Sequence, residues 1–207
     1  MKEFFANLPP YIAELLTYFI SVALLQNVIL TTGFGTSVML HIVKKPKTIW
    51  LFSGILSIFS VLTVVAAYPL DEYLFGKDMN NVWRPLMMVG ITVVLYIAIS
   101  LLLQWLLPNF YSRVSRLLPM AAFNNLVTGI ALICNAHFNT TIMGNIGLAL
   151  GTSLSFGILT WLTAEGMERM DNPDMPEAFR GTPSTLLYVG LLALALLGFA
   201  SEFSLIS

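Results

Sequence analysis

The chain has 207 residues, of which 57% are hydrophobic and only 10% charged, whereas about a quarter of the residues in a soluble domain carry charge. The mean hydropathy is +0.81 and the formal net charge is −1, which excludes the basic excess of a nucleic-acid binder; no aromatic-plus-basic surface motif is present either. A single cysteine, Cys134, excludes an internal disulfide framework and any multi-cysteine metal site within the chain.

Apolar runs of about 20 residues, separated by short polar ones, predict about six spanning helices and no sizeable soluble domain. Residues 1–207 are therefore read as a single membrane domain. The start, Met1-Lys2-Glu3, lacks the basic cluster of a signal peptide, so the first helix is expected to stay in the mature protein. The first apolar run extends from Tyr11 to Val43 with Glu14 as its only carboxylate. It is too long for one straight span and is expected to break at Gly33 and Gly35. Lys44, Lys45, Pro46 and Lys47 close it, and a second span follows from about Ile49 to Leu70. Beyond the polar loop around Asp71 and Lys77, a third span runs from about Trp83 to Leu107 and stops at Pro108.

The segment from Phe110 to Leu118 is too short to cross. It sets Arg113 and Arg116 opposite Tyr111, Val114, Leu117 and Leu118, as an interfacial helix does. The fourth span covers Leu117 to Cys134, and the apolar run around that thiol predicts an inert, buried side chain rather than a ligand. The fifth runs from about Thr141 to Ala164 and carries Gly144, Gly147, Gly151 and Ser155. The last three are four apart, which leaves one helical face with little bulk and predicts close helix packing. An acidic loop from Glu165 to Gly181 precedes a last span from about Thr185 to Phe203.

Counting loops alternately, one side of the membrane collects Lys44, Lys45, Lys47, Arg113, Arg116, Arg169 and Arg180, the other Lys2, Lys77 and Arg84. Positive charge stays in the cytoplasm, so both termini are expected outside it. Trp50, Trp83 and Trp105 fall near span ends, at headgroup level. His41 and His137 are expected on opposite sides and so do not share a metal.

Two stretches far apart in the chain read alike: Gln26-Asn27-Val28-Ile29-Leu30-Thr31-Thr32-Gly33 and Asn124-Asn125-Leu126-Val127-Thr128-Gly129. An unpaired amide in hydrocarbon costs roughly 4–8 kcal/mol, so these groups should face protein or water. Each stretch opens a three-helix unit, at about residues 11–107 and 117–205, and the two units enter the membrane from opposite sides. That is the pattern of an inverted repeat with broken helices one and four and a polar site at the midplane. Gln26, Asn27, Thr31, Gly33 and Gly35 from the first helix, with Asn124, Thr128 and Gly129 from the fourth, are the candidate residues for it. No nucleophile–base pair, phosphate loop or zinc spacing is present, so no catalytic residue and no metal ligand is assigned.

The chain resembles the RnfA/NqrE family, small six-helix integral subunits of the Rnf and Na⁺-translocating NADH:quinone reductase complexes. The resemblance rests on Gln26-Asn27-Val28-Ile29-Leu30, Lys44-Lys45, Leu118-Pro119 with Asn124 and Gly129, and Ala178-Phe179-Arg180-Gly181. It implies an all-α inverted-repeat fold in a bacterial plasma membrane, with both termini extracytoplasmic. It also implies a homologous partner subunit of opposite topology and further redox subunits. Family members give two cysteines each to a [2Fe-2S] cluster shared between the partners. Those two positions fall here on Ser37 and Asn125, so no cluster is expected on this chain alone.

The leading expectation is an integral subunit of an ion-translocating redox complex, contributing to transmembrane electron transfer or cation coupling. The alternatives are a transporter or channel-like protein that uses the midplane amides, and a cofactor-free structural subunit.

Overall fold

A backbone surrounded by hydrocarbon has no water to bond, so each apolar run must satisfy its N–H and C=O groups internally, as a helix does. The computed structural model describes residues 9–25, 28–70, 83–137, 141–170, 176 and 179–204, and among these only helices and their connections occur. The first run is α1 (Pro10–Ile20), a π-helical turn at Ser21–Leu25, α2 (Val28–Thr32) and α3 (Thr36–Ile42). A short 3-10 turn at Pro46–Thr48 leads into α4 (Ile49–Leu70). Next come α5 (Trp83–Leu106), α6 (Pro108–Val114), α7 (Leu117–Ala122), α8 (Asn125–His137), α9 (Ile142–Met170) and α10 (Thr182–Ser204).

Among the described residues, four stretches are long and apolar enough to cross a membrane: Pro46–Leu70, Trp83–Leu106, Leu117–Cys134 and Ile142–Met170. Shorter apolar helices cover Pro10–Ala23 and Thr182–Leu196. The protein is an all-α integral membrane protein. The ends of the described helices agree with the sequence to within a few residues, and the differences have local causes. Leu106 is the last residue of α5, and Pro108, which cannot continue a helix, starts α6 at its first position. From α6 through the turn after it into α7, Arg113 and Arg116 are exposed while Val114 and Leu118 are buried, as an interfacial segment requires. α9 continues past Ala164 to Met170, where Glu165 and Arg169 pair at 3.1 Å along the exposed side of its last turns.

α9 is the axis of the core. Phe156 packs against Phe52 of α4 with ring centroids 5.5 Å apart and the rings tilted by 43°, and the Ser53 hydroxyl donates to the Ser153 carbonyl at 2.6 Å. Four hydroxyls of α9 bond back one turn along their own helix: Thr152 to Leu148 O, Ser153 to Ala149 O, Thr160 to Phe156 O and Thr163 to Leu159 O, at 2.6–2.8 Å. The glycine face is filled by α1. The Leu15 carbonyl lies where a Cβ on Gly147 would stand, and a Cβ on Gly151 would come within 2.6 Å of Phe19 O. Residues 15 and 19 therefore rise in step with 147 and 151, so α1 and α9 run parallel. At their common starting end the Glu14 carboxylate accepts from Thr141 Oγ1 at 2.7 Å and from Thr141 N at 3.3 Å. A carboxylate at the start of a long helix also meets the positive end of its dipole.

Candidate functional site: two helix breaks in contact

The first break is made by backbone conformation. Gly33 and Gly35 have φ of 73° and 83°, a left-handed geometry that would cost any L-residue with a side chain about 1–2 kcal/mol. Between them Phe34 N donates to Thr32 Oγ1 at 3.2 Å, and Thr36 Oγ1 donates to Gly33 O at 2.8 Å, which ties the ends of α2 and α3 across the turn. The second break is made by a side chain. α7 ends at Ala122, and Asn124 caps α8, its Oδ1 accepting from Leu126 N at 3.1 Å while its carbonyl accepts from Val127 N at 2.9 Å.

The two breaks touch. A Cβ on Gly35 would lie 3.5 Å from Asn124 Oδ1 and 3.4 Å from the Phe156 ring, and the Phe34 ring sits on Gly129 with no room for a side chain there. Gly33, Gly35, Asn124 and Gly129 from the predicted set thus share one locus. Asn124 is buried, and its Nδ2 finds no acceptor among the described residues. Thr128 is half-buried and its hydroxyl donates within its own helix, to Asn125 O at 3.4 Å. Thr31 lies in α2, while Gln26 and Asn27 fall outside the described residues.

Asn124 is the hinge of the second break, so its replacements sort by capping ability. Asn124→Ala is expected to lower stability by about 1 kcal/mol, or roughly 2–4 °C in thermal unfolding of the detergent-solubilised protein, while Asn124→Asp retains the cap. Equal melting of the two variants would show that the cap does not hold the break.

Ser37 and Asn125 occupy equivalent places, each in the first turn of the half-helix that follows a break, and both are exposed. The amide pair is thereby split: Asn124 turns into the chain and Asn125 away from it. A serine hydroxyl and a carboxamide do not replace the thiolates of a [2Fe-2S] cluster. Cys134 is 2% exposed and lies about nine residues beyond Asn125, roughly 13 Å along an ideal helix. Among the described residues no group of three or more His, Cys, Asp and Glu side chains could hold a metal ion. The residues present do not fit the cluster.

Two residues that build this locus escaped the sequence reading, Phe34 and Phe156. Both look like ordinary apolar residues. The only available signal was the setting of Phe34, a large ring between two glycines in Gly33-Phe34-Gly35.

Comparison with known proteins extends over almost the entire chain. A family model described as "Rnf-Nqr subunit, membrane protein" matches residues 15–202. An ion-translocating oxidoreductase complex subunit from Pasteurella multocida (strain Pm70) is 29% identical over 188 residues, 90% of this chain and 96% of that protein. The protein of the same name from Alcanivorax borkumensis is 26% identical over 187 residues, covering 90% and 96% of the two chains. That from Vibrio cholerae serotype O1 is 26% identical over 196 residues, covering 94% and 91%.

Proposed function

Because this chain belongs to the Rnf-Nqr family of membrane subunits, we propose that it is an integral subunit of an ion-translocating oxidoreductase complex. The observation that carries this reading is the family match from residue 15 to 202, with relatives of nearly equal length that are named as subunits of such a complex. Its architecture is then two inverted three-helix units spanning the bilayer six times, with both termini outside the cytoplasm. The contact between the breaks at Gly35 and Asn124 supports it, since inverted repeats bring discontinuous helices together.

In the complex the chain pairs with a homologous subunit of opposite topology, and the exposed Ser37 and Asn125 are the positions turned toward that partner. Neither supplies a cluster ligand. What this chain contributes is a rigid polar locus beside the coupling path: Asn124 fixes the start of α8, and Gly33 and Gly35 fix the start of α3. Such a locus serves cation coupling or subunit positioning, not iron ligation.

The test is made in the native membrane. A tagged chain extracted in mild detergent is expected to bring down redox-active subunits and a homologous membrane subunit. Membrane vesicles from cells lacking the chain are expected to lose redox-driven cation uptake, and the gene restored in trans recovers it. Recovery of the chain alone, together with uptake unchanged in its absence, overturns the assignment.

A further inference from the structure

Residues 83–137, which carry α5 to α8, contain no aspartate and no glutamate. Within them Arg113 and Arg116 are both exposed, three residues apart in a run whose backbone stays in the right-handed helical region through Ser115 and Arg116. Residues at that spacing are neighbours on one side of a helix, with Cβ atoms about 5–6 Å apart. Among the described residues neither guanidinium has a hydrogen bond or an ion pair. The hydroxyls beside them donate locally, Ser112 to Asn109 O at 2.9 Å and Ser115 to Ser112 O at 3.3 Å.

The chain keeps its carboxylates elsewhere. Glu14 is held by Thr141, Glu165 pairs with Arg169, and Glu168 lies in the last turns of α9. Asp171, Asp174 and Glu177 follow in the chain between α9 and α10, outside the described residues. α10 packs on α9 and on the broken first helix, whereas α6 packs on α5.

An apolar face leads away from the arginine pair. None of the residues from Val93 to Leu106 on α5 is buried, a length of roughly 20 Å, against about 15 Å of hydrocarbon in one leaflet. At the end of that face Trp105 is 85% exposed, with Leu107 and Phe110 exposed beyond it. An indole so placed marks the headgroup level. The surface thus offers two guanidiniums to a headgroup and a helix side as long as an acyl chain. Guanidinium forks match phosphate oxygens bidentately. An ammonium on the same headgroup would find no carboxylate on α5 to α8 and would meet the two arginines instead.

We propose that Arg113 and Arg116 hold the phosphate of an anionic phospholipid whose headgroup carries no ammonium, with its acyl chains lying along α5 past Trp105. The site includes neither Ser37 nor Asn125, so it stands apart from the redox reading.

Native mass spectrometry of the full chain in detergent tests this, with phosphatidylglycerol, phosphatidylethanolamine and phosphatidylcholine supplied at equal concentration. Phosphatidylglycerol should be retained about twentyfold over the other two, and Arg113→Gln and Arg116→Gln should each lower its retention about fivefold. Arg113→Lys combined with Arg116→Lys should keep the preference, which separates lost charge from lost fold. Lys45→Gln with Lys47→Gln removes two charges from another exposed loop and should leave the preference unchanged. Neutralising Asp171, Asp174 and Glu177 to their amides should leave it unchanged too, and soluble glycerophosphoglycerol should not displace the lipid. Equal retention of the three lipids overturns the proposal, as does a loss with the lysine pair as large as with the arginines. A gain on neutralising the acidic segment would mean that it competes for the guanidiniums, and displacement by the soluble headgroup would mean that the α5 face plays no part; either result also overturns it. If the arginine variants keep phosphatidylglycerol but lose copurifying protein, the surface docks a partner subunit and the lipid assignment falls.

Discussion

Gly147→Leu combined with Gly151→Leu is expected to leave no folded, monodisperse protein in detergent, and Gly151→Ala alone is expected to cost about 1–3 kcal/mol. The reason is what the new side chain meets. A Cβ on either residue runs into the backbone carbonyl of α1, at Leu15 for Gly147 and at Phe19 for Gly151, and a backbone cannot rotate aside as a side chain can. The helices must separate, and with them goes the alignment of Glu14 with Thr141. Gly90→Ala is the control, because nothing lies within 4 Å of a Cβ there; alanine is the better helix former by roughly 0.5–1 kcal/mol. Thermal unfolding followed by size-exclusion chromatography separates the cases. At roughly 2–4 °C per kcal/mol for a chain of this size, the Gly151→Ala loss is measurable. If Gly151→Ala melts with the wild type while Gly90→Ala does not, the parallel seam between α1 and α9 is not what holds the core.

The second large effect concerns iron. The chain purified without partners is expected to show no iron above a detergent blank and no electron paramagnetic resonance signal on reduction. A [2Fe-2S] cluster takes four cysteine thiolates. Here the half-helix positions that face outward carry Ser37 and Asn125, and the lone thiol of Cys134 is buried in α8. The double substitution Ser37→Cys, Asn125→Cys supplies two thiolates of the four and is expected to stay free of iron in isolation. An iron-to-protein ratio of about two with a cluster spectrum, in the wild-type chain alone, would mean that groups other than these ligate the iron.

These expectations separate what could be read along the chain from what could not. Hydropathy located the apolar helices because burying unbonded backbone in lipid is so costly that only helices survive there. The break at Gly33 and Gly35 was legible for a related reason: two glycines in a run too long to cross once mark where the chain can take a left-handed turn. The small-residue spacing on α9 was legible as a packing face.

What filled that face was not. Nothing local in α1 marks Leu15 and Phe19 as the residues whose carbonyls press on Gly147 and Gly151; that follows only when two segments more than a hundred residues apart are laid side by side. The division of Asn124 and Asn125 between inside and outside depends on where α7 stops and α8 starts, which a cap sets by one hydrogen bond. Phe34 and Phe156 looked like lipid-facing or core residues of no distinction, and a cavity lined by both Lys44 and Arg180 joins residues that the chain keeps far apart. Sequence by itself determined that this protein lives in a membrane as helices and where those helices yield, because solvent and backbone geometry act on each residue locally. Which faces meet, and what they enclose, the tertiary structure alone decided, because packing is a property of pairs.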